Sequence, residues 1–159
     1  MQVRLAELSD IPELVQSAQD VIEELPTYRS IPVAIPSIES FLETLVLNPT
    51  KFTVLVAEDQ GSIRGFMLGC VIPHWFSTKI THAADLLLYV HPDFRNGAYA
   101  VRLIREFEKW AVHVGCTRLR LSTSTGFQED RTKALYTRLG YIQIGSIHEK
   151  EMPCVQEQK

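Results

Sequence analysis

The chain has 159 residues, of which 45% are hydrophobic and 22% are charged, and its formal net charge is −3. This length predicts a single domain with one core, and the composition excludes a disordered or collagen-like chain. No apolar run approaches the ~18 residues that a membrane span requires, so no membrane partner is expected.

Cysteine usage and the first residues bear on location. Only three cysteines occur, widely spaced and odd in number, which is typical of a reducing compartment and not of a disulfide framework. The opening residues, MQVRLAELSD, contain no apolar signal-peptide core. We therefore expect a cytoplasmic protein. Because no histidine pair has i,i+4 spacing and no cysteine spacing suits zinc, no metal site is expected.

Charge is unevenly distributed along the chain. Residues 91–140 carry a net charge of +4, whereas the remainder carries −7. The later part is therefore expected to meet an anion and the earlier part a cation, with scattered surface charge as the alternative. A direct nucleic-acid reader is not expected, because the basic residues near Glu106 and Glu108 alternate with acids and no known nucleic-acid motif accompanies them.

The first half of the chain predicts a short strand, two helices and a hairpin. Residues 3–5 suggest the strand, and Asp10 with Glu13 resembles a capping box that opens the first helix. The proline-containing stretch Pro26–Pro36 predicts a loop, after which Ser37 is expected to cap a second helix that ends at Asn48. Apolar and β-branched residues then predict two strands, 52–58 and 63–72, joined by a turn.

The second half alternates strands and helices. Residues 84–91 predict a central strand, 98–114 a strong amphipathic helix, 118–123 a strand and 129–139 a short helix. Residues 141–152 predict two final strands around a glycine. The whole pattern indicates an α/β fold with a mixed sheet.

A strand, a tight turn and a helix follow one another between residues 84 and 104. Such a junction leaves backbone N–H groups unpaired and places the positive end of the helix dipole there, which suits a phosphate or pyrophosphate. Gly97, Ala98 and Ala100 are small enough for close approach, and Arg95 adds a charged donor. An ordinary structural turn is the alternative interpretation.

Two motifs stand out in the second half of the chain: Pro92 followed by the run RNGAYA (95–100), and LYTRLGY (135–141). Together they resemble the GNAT superfamily of acyl-CoA-dependent N-acyltransferases. Pro92 and the run RNGAYA (95–100) match the family's Pro and Arg-x-x-Gly-x-Gly/Ala pattern, with Ala98 where the family usually has glycine. LYTRLGY (135–141) matches its LYxxxGF pattern, and Glu129 stands where the family often has asparagine. The resemblance extends to about Met152 and so implies one domain over residues 1–152 and a C-terminal tail over 153–159. An ELP-x-Y loop, a WFS segment and FEKWA further resemble GNAT proteins of phage genomes, whose location is the host cytoplasm.

The resemblance implies a fold and a set of site residues. The fold is a mixed, mostly antiparallel sheet of about six to seven strands with about four helices, splayed between the strand ending at Val90 and strand 118–123. Acetyl-CoA is the implied donor and an amine of a small molecule or protein the acceptor. The N–H of Val90 is expected to hold the thioester carbonyl, and Tyr136 to protonate the departing thiolate. The implied cofactor residues are Leu88, Tyr89, Val90, Arg95, Asn96, Gly97, Ala98, Tyr99 and Ala100.

Several alternatives stay open from the sequence. The base that neutralises the amine is Asp85, Glu24, His82 or a chain of waters. The aromatic loop His74–Phe76 lines a substrate pocket, covers a homodimer interface or caps the core. The runner-up function is a non-catalytic GNAT-like module that binds acyl-CoA or a protein partner.

Overall fold

A single mixed sheet organises the chain in a computed structural model that describes residues 1–150. Its five strands lie side by side in chain order: β1 (Gln2–Leu5), β2 (Phe52–Asp59), β3 (Ser62–His74), β4 (Ser77–Val90) and β5 (Arg118–Arg120). The first four are antiparallel, and β5 runs parallel to β4. The α/β class and the mostly antiparallel sheet are confirmed, with five strands instead of six or seven.

Four helices cover the two faces of the sheet. They are α1 (Ile11–Glu24), α2 (Ile35–Leu47), α3 (Tyr99–His113) and α4 (Glu129–Arg138). Alternate residues of β2 enter different cores, because successive strand side chains point to opposite faces. Val54 and Val56 pack with α1 and α2, whereas Leu55 and Ala57 pack with α3 and with Tyr136 of α4. Among residues 1–150, no helix combines the length and apolar character needed to cross a membrane.

The start of α2 and the capping of α1 differ from the sequence-based expectation, whereas α1 begins directly after Asp10 as predicted. Helix α2 begins at Ile35 with Ala34 as its N-cap, not at Ser37, because a proline at the second helical position costs no hydrogen bond. At α1, Asp10 accepts from the N–H of Glu7 (2.7 Å) within a short 3₁₀ turn. The carboxylate of Glu13 instead accepts the N–H of Ile63 (2.7 Å), so the Asp10–Glu13 capping pair is wrong.

Helix α3 packs unusually close to the sheet at Gly69. A Cβ built on Gly69 would lie 2.3 Å from Cε2 of the Phe107 ring, which is completely buried. Only a residue without a side chain allows this approach. The contact ties α3 to the middle of β3, next to the strand that carries the site.

The two strands predicted over residues 141–152 are wrong for the described part of that segment. No strand forms between residues 141 and 150, and residues 151–152 and the predicted tail 153–159 lie outside the described residues. The hydroxyl of Tyr141 donates to Glu108 (2.9 Å), but beyond it Ile142, Ile144 and Ile147 are exposed. An alternating pattern makes a strand only where a neighbouring strand edge accepts it, since strand preference depends on that packing.

Candidate active site

A β-bulge in β4 opens the sheet. Asp85 faces Gly69 and Leu87 faces Leu68, so Leu86 has no residue opposite it on β3. A bulge of this kind bends its strand and increases the local twist. β4 and β5 are paired only over His82–Ala84 and diverge at Asp85. The strand predicted over 118–123 therefore ends at Arg120, and a splayed cleft begins where the pairing stops.

The backbone of β4 turns two residues toward this cleft. In an antiparallel pair, residues alternate between those that bond across to the partner strand and those whose N–H and C=O point away from it. The N–H of His91 donates to the carbonyl of Arg64 on the β3 side (2.9 Å). The backbone groups of Val90 and Leu88 consequently point away from β3. The Val90 carbonyl accepts a hydrogen bond from Nε of Arg95 (2.8 Å), which is consistent with its pointing away from β3.

Side chains hold the opposite wall in place where the strand ladder has ended. The N–H of Ser122 donates to Oδ1 of Asp85 (2.8 Å), and its hydroxyl donates to Oδ2 (3.4 Å). The hydroxyl of Tyr136 donates to the Ser122 carbonyl (3.2 Å). Farther along, the Thr27 hydroxyl donates to the carbonyl of Thr125 (2.7 Å). Ser122 thus joins Asp85 on one wall to Tyr136 behind the other.

The cleft between these walls has a volume of about 300 Å³. It brings together residues that the sequence predicted from three separate segments: the end of β4, the turn before α3, and α4. The predicted residues that line it are Asp85, Leu88, Tyr89, Val90, Arg95, Asn96, Gly97, Ala100 and Tyr136. Among the residues that the structure describes, the lining does not include Ala98 or Tyr99. Tyr99 donates its hydroxyl to Asp59 (3.0 Å) and packs on Phe94.

The N-terminus of α3 stands at one end of the cleft. The first backbone bond into the helix runs from the N–H of Arg102 to the carbonyl of Ala98 (3.0 Å), so the N–H groups of Tyr99–Val101 precede the helical ladder. Ala98 is the exposed N-cap residue with φ −87°. The alanine that replaces the family's usual glycine therefore adopts an ordinary negative φ, and the loop keeps its backbone donors.

Arg95 lies inside the protein rather than reaching into solvent. Both terminal nitrogens of its guanidinium donate to the Glu24 carboxylate, and its Nε donates to Val90. The guanidinium also lies over the rings of Tyr89 (5.5 Å to the centroid) and Phe127 (5.1 Å). Arg95 and Glu24 side chains are only 17% and 22% exposed. No local pattern predicts this pairing, which joins residues 71 positions apart.

The three candidate bases have different surroundings. Burial raises the pKa of Asp85 to about 6, although the Ser122 hydrogen bonds oppose the increase. The guanidinium of Arg95 lowers the pKa of Glu24 and holds its carboxylate in an ion pair. His82 is 3% exposed, its ring stacks on His74, and burial lowers its pKa. Of these three side chains, Asp85 alone lines the cleft.

Tyr136 is buried with its hydroxyl directed at the splay. Burial raises its pKa above the ordinary value for tyrosine, and the nearby Asp85 carboxylate acts in the same direction. The phenol therefore keeps its proton throughout the neutral range. Its ring also belongs to the core under α3, so packing and the polar contact to Ser122 occur together.

Arg131 is a cleft residue that sequence reasoning did not single out. Its Nη2 donates to the carbonyl of Arg95 (3.0 Å) and to the amide oxygen of Asn96 (3.1 Å), which places a cation beside the turn before α3. The positive net charge of residues 91–140 was the available signal. Within residues 1–150, no group of three or more His, Cys, Asp or Glu side chains is arranged to hold a metal ion.

Comparison with known proteins agrees with this geometry. The sequence profile of the Acetyltransferase (GNAT) family matches residues 18–141. The chain belongs to the GNAT family of acetyltransferases. Acetyltransferase YE1169 of Yersinia enterocolitica serotype O:8 / biotype 1B is 32% identical to this GNAT chain over 95 residues, 60% of this chain and 61% of that protein. The match thus spans less than two thirds of that relative.

Solved structures of other proteins share the GNAT fold. The glucosamine-6-phosphate N-acetyltransferase of Arabidopsis thaliana superposes with a TM-score of 0.74 at 14% identity, over 96% of this chain and 98% of that one. AAC(6')-Iy in complex with the bisubstrate analogue CoA-S-monomethyl-acetylneamine gives a TM-score of 0.75 at 15% identity, with the same coverage of each chain. At these identities the likeness concerns the fold alone.

Proposed function

We propose that this GNAT domain transfers an acetyl group from acetyl-CoA to an amine by direct attack within a ternary complex. The observation that carries the proposal is the splayed cleft. It has outward-facing N–H groups of β4 along one wall, a helix N-terminus at one end, and Asp85 and Tyr136 at the other. This arrangement combines anion binding, hydrogen bonding along an extended arm and proton transfer in one cleft.

The residues of the cleft fit the donor along its length. The N–H groups at the start of α3, with Arg131 beside them, suit the pyrophosphate. From there, Val90 and then Leu88 offer N–H groups to the amide and thioester carbonyls of the pantetheine arm. These two donors lie about 7 Å apart along the strand. Acetyl-CoA supplies an activated acyl carbon at the end of that arm.

The N–H that faces the thioester should be the donor nearer to Tyr136. Tyr136 bonds to Ser122, whose N–H and hydroxyl meet Asp85 near the bulge. Along β4, Leu88 is two residues closer to the bulge than Val90, to which the family resemblance assigned this role. We therefore assign the developing negative charge on the thioester oxygen to the N–H of Leu88, and an amide carbonyl of the arm to Val90.

Asp85 and Tyr136 handle the two protons of the reaction. An acceptor ammonium must lose a proton before its nitrogen can form a bond to the acyl carbon, and Asp85 accepts that proton directly or through water. As the C–S bond breaks, Tyr136 donates its phenolic proton to the sulfur. A carboxyl with a pKa of about 6 is mostly ionised at neutral pH, whereas the buried phenol is fully protonated. The two groups therefore start in the required states.

The acceptor should be an amine-bearing small molecule or protein that enters from the α1–α2 side. The net charge outside residues 91–140 is −7, which favours a cationic acceptor. Leu25 and the Phe127 ring line the cleft on that side. The protein is proposed to act in the cytoplasm, and a homodimer is a further proposal that the exposed Trp75 and Phe76 would serve.

Thiol release from acetyl-CoA tests the proposed activity. Wild-type protein is mixed with acetyl-CoA and, separately, with monoamines, polyamines, aminosugars, peptides and nucleosides, while Tyr136→Phe reports the background. Amine-dependent thiol release that falls in the variant supports the transferase. Calorimetric binding of acetyl-CoA without amine-dependent release from any acceptor would instead support a non-catalytic acyl-CoA-binding module.

A further inference from the structure

Arg95 has its charge and most of its donors committed to protein atoms. Two of its nitrogens bind the Glu24 carboxylate and the third binds the carbonyl of Val90. The rings of Tyr89 and Phe127 lie against the guanidinium. A phosphate placed beside this pair would meet the negative carboxylate as well as the cation, so the pair presents little net charge to an anion.

The position of Glu24 is unfavourable without Arg95. Glu24 is the last residue of α1, where the helix dipole repels a negative charge. Its side chain is also largely removed from water. The bidentate guanidinium compensates for both effects. The two side chains therefore act as one unit that joins the end of α1 to the end of β4.

The Arg95–Glu24 pair also holds the backbone of Val90. The 3₁₀ turn Pro92–Phe94 follows β4, and Arg95 reaches back across that turn to hold the Val90 carbonyl. Between Asp85 and Val90, β4 has no pairing with β5, because the ladder between them ends at Ala84. On its cleft side, the end of β4 is fixed by this side chain in place of a neighbouring strand.

We propose that Arg95, held by Glu24, is a positioning residue that fixes the end of β4 so that the Val90 N–H faces the acyl-donor arm, and that it does not serve as a phosphate ligand. This inference rests on the proposed function for its kinetic readout. The general basis is that small displacements of groups that position a substrate produce large losses of rate. It assigns Glu24 to the donor site and removes it from the candidate bases.

Acyl donors with and without the nucleotide distinguish a positioning role of Arg95 from a role as phosphate ligand. Acetyl-CoA and S-acetylpantetheine share the arm and the thioester, but only acetyl-CoA carries the pyrophosphate. Arg95→Lys keeps the positive charge but loses the two parallel donors of the guanidinium. Glu24→Gln keeps the shape of the side chain but loses its negative charge. Exposed Glu23, whose side chain is one residue away on α1, supplies the matched control Glu23→Gln.

If Arg95 is a positioning residue, both Arg95→Lys and Glu24→Gln should lower kcat/KM on the order of 10–100-fold, and by the same factor with acetyl-CoA and with S-acetylpantetheine. Glu23→Gln should leave kcat/KM within about twofold, the scatter expected of a surface change. A loss confined to acetyl-CoA in Arg95→Lys, or tighter acetyl-CoA binding in Glu24→Gln, would overturn the proposal and make Arg95 a phosphate ligand. Unchanged kcat/KM in both variants would also overturn it.

Calorimetry provides a readout independent of turnover. Under positioning, Arg95→Lys and Glu24→Gln weaken CoA and pantetheine binding by the same factor, measured on protein with an intact thermal transition. If wild-type protein releases no thiol with any acceptor, the proposed function fails, but equal weakening still supports the positioning role. Weakening for CoA alone overturns that role.

Discussion

The two walls of the cleft are built in different ways. β4 is paired with β3 up to Val90 and is backed by the Gly69–Phe107 contact. The opposite wall has three residues of β5 in the ladder, and beyond them Ser122 and Thr125 are held by side chains from elsewhere in the chain. The difference suggests a division of roles. The end of β4 that is paired with β3 presents fixed backbone donors, whereas the groups that exchange protons, Asp85 of β4 and Tyr136 of α4, meet through Ser122 where the β4–β5 ladder has ended.

Removing the Tyr136 hydroxyl should produce the largest effect on the β5 wall. Tyr136→Phe keeps the ring in the core but deletes the proton donor, so kcat should fall on the order of 10²–10⁴-fold. Steady-state kinetics with saturating acetyl-CoA measures the loss. Thermal unfolding and the calorimetric affinity for acetyl-CoA serve as controls and should stay near wild type. A decrease of only a few-fold would return Tyr136 to a packing role.

Asp85 should show opposite effects on activity and stability. In Asp85→Asn, kcat/KM should fall by about 10²-fold, and its rise with pH through about 6 should disappear from the pH profile. Because folding raises the pKa of Asp85 from 3.8 to about 6, the folded state loses stability as pH increases through this range.

The effect of Asp85 on the free energy of unfolding can be measured separately. Asp85→Asn should stabilise the fold on the order of 1–3 kcal/mol at pH 8, and the gain should vanish below about pH 3, where both states of wild-type Asp85 are mostly protonated. Urea unfolding at the two pH values gives the difference. A variant less stable than wild type at pH 8 would mean that the Ser122 hydrogen bonds outweigh the cost of burying the charge.

The packing of α3 on β3, which backs β4, should respond to side-chain volume instead of pH. Gly69→Ala places a methyl group against the buried Phe107 ring and should destabilise the protein by about 1–3 kcal/mol at any pH near neutrality. Gly145→Ala is the matched control, since a Cβ there meets nothing within 4 Å. Equal unfolding free energies for the two variants would show that α3 can shift away without cost.

The sequence predicted the helices, strands and turn around the site better than the contacts that shape and join them. The hairpin, α3 and the turn at residues 95–97 follow from local apolar periodicity and from small residues before a helix. The bulge at Leu86 did not, because it depends on which residues of β3 lie opposite. Glu24–Arg95 and Asp85–Ser122 join residues 71 and 37 positions apart, and no local pattern encodes such pairs. Only the fold brings these residues together.

The smallest expected effect concerns the acceptor. If the acidic earlier part of the chain steers a cationic amine, kcat/KM for that amine should fall a few-fold between low and high salt, with acetyl-CoA saturating. A neutral acceptor analogue should show no such dependence. Active acceptors that are anionic, or rates for cationic acceptors that do not change with salt, would contradict steering by this field.

Calorimetric titration of acetyl-CoA separates donor binding at the N-terminus of α3 from proton transfer at Tyr136. Ala98→Glu places a carboxylate at the N-cap of α3, which the helix itself tolerates but a bound pyrophosphate does not. Ala98→Gln adds nearly the same bulk without charge. Acetyl-CoA binding should be lost in Ala98→Glu, retained in Ala98→Gln and unchanged in Tyr136→Phe. Wild-type affinity in a folded Ala98→Glu protein would contradict the placement of the donor at this end of the cleft.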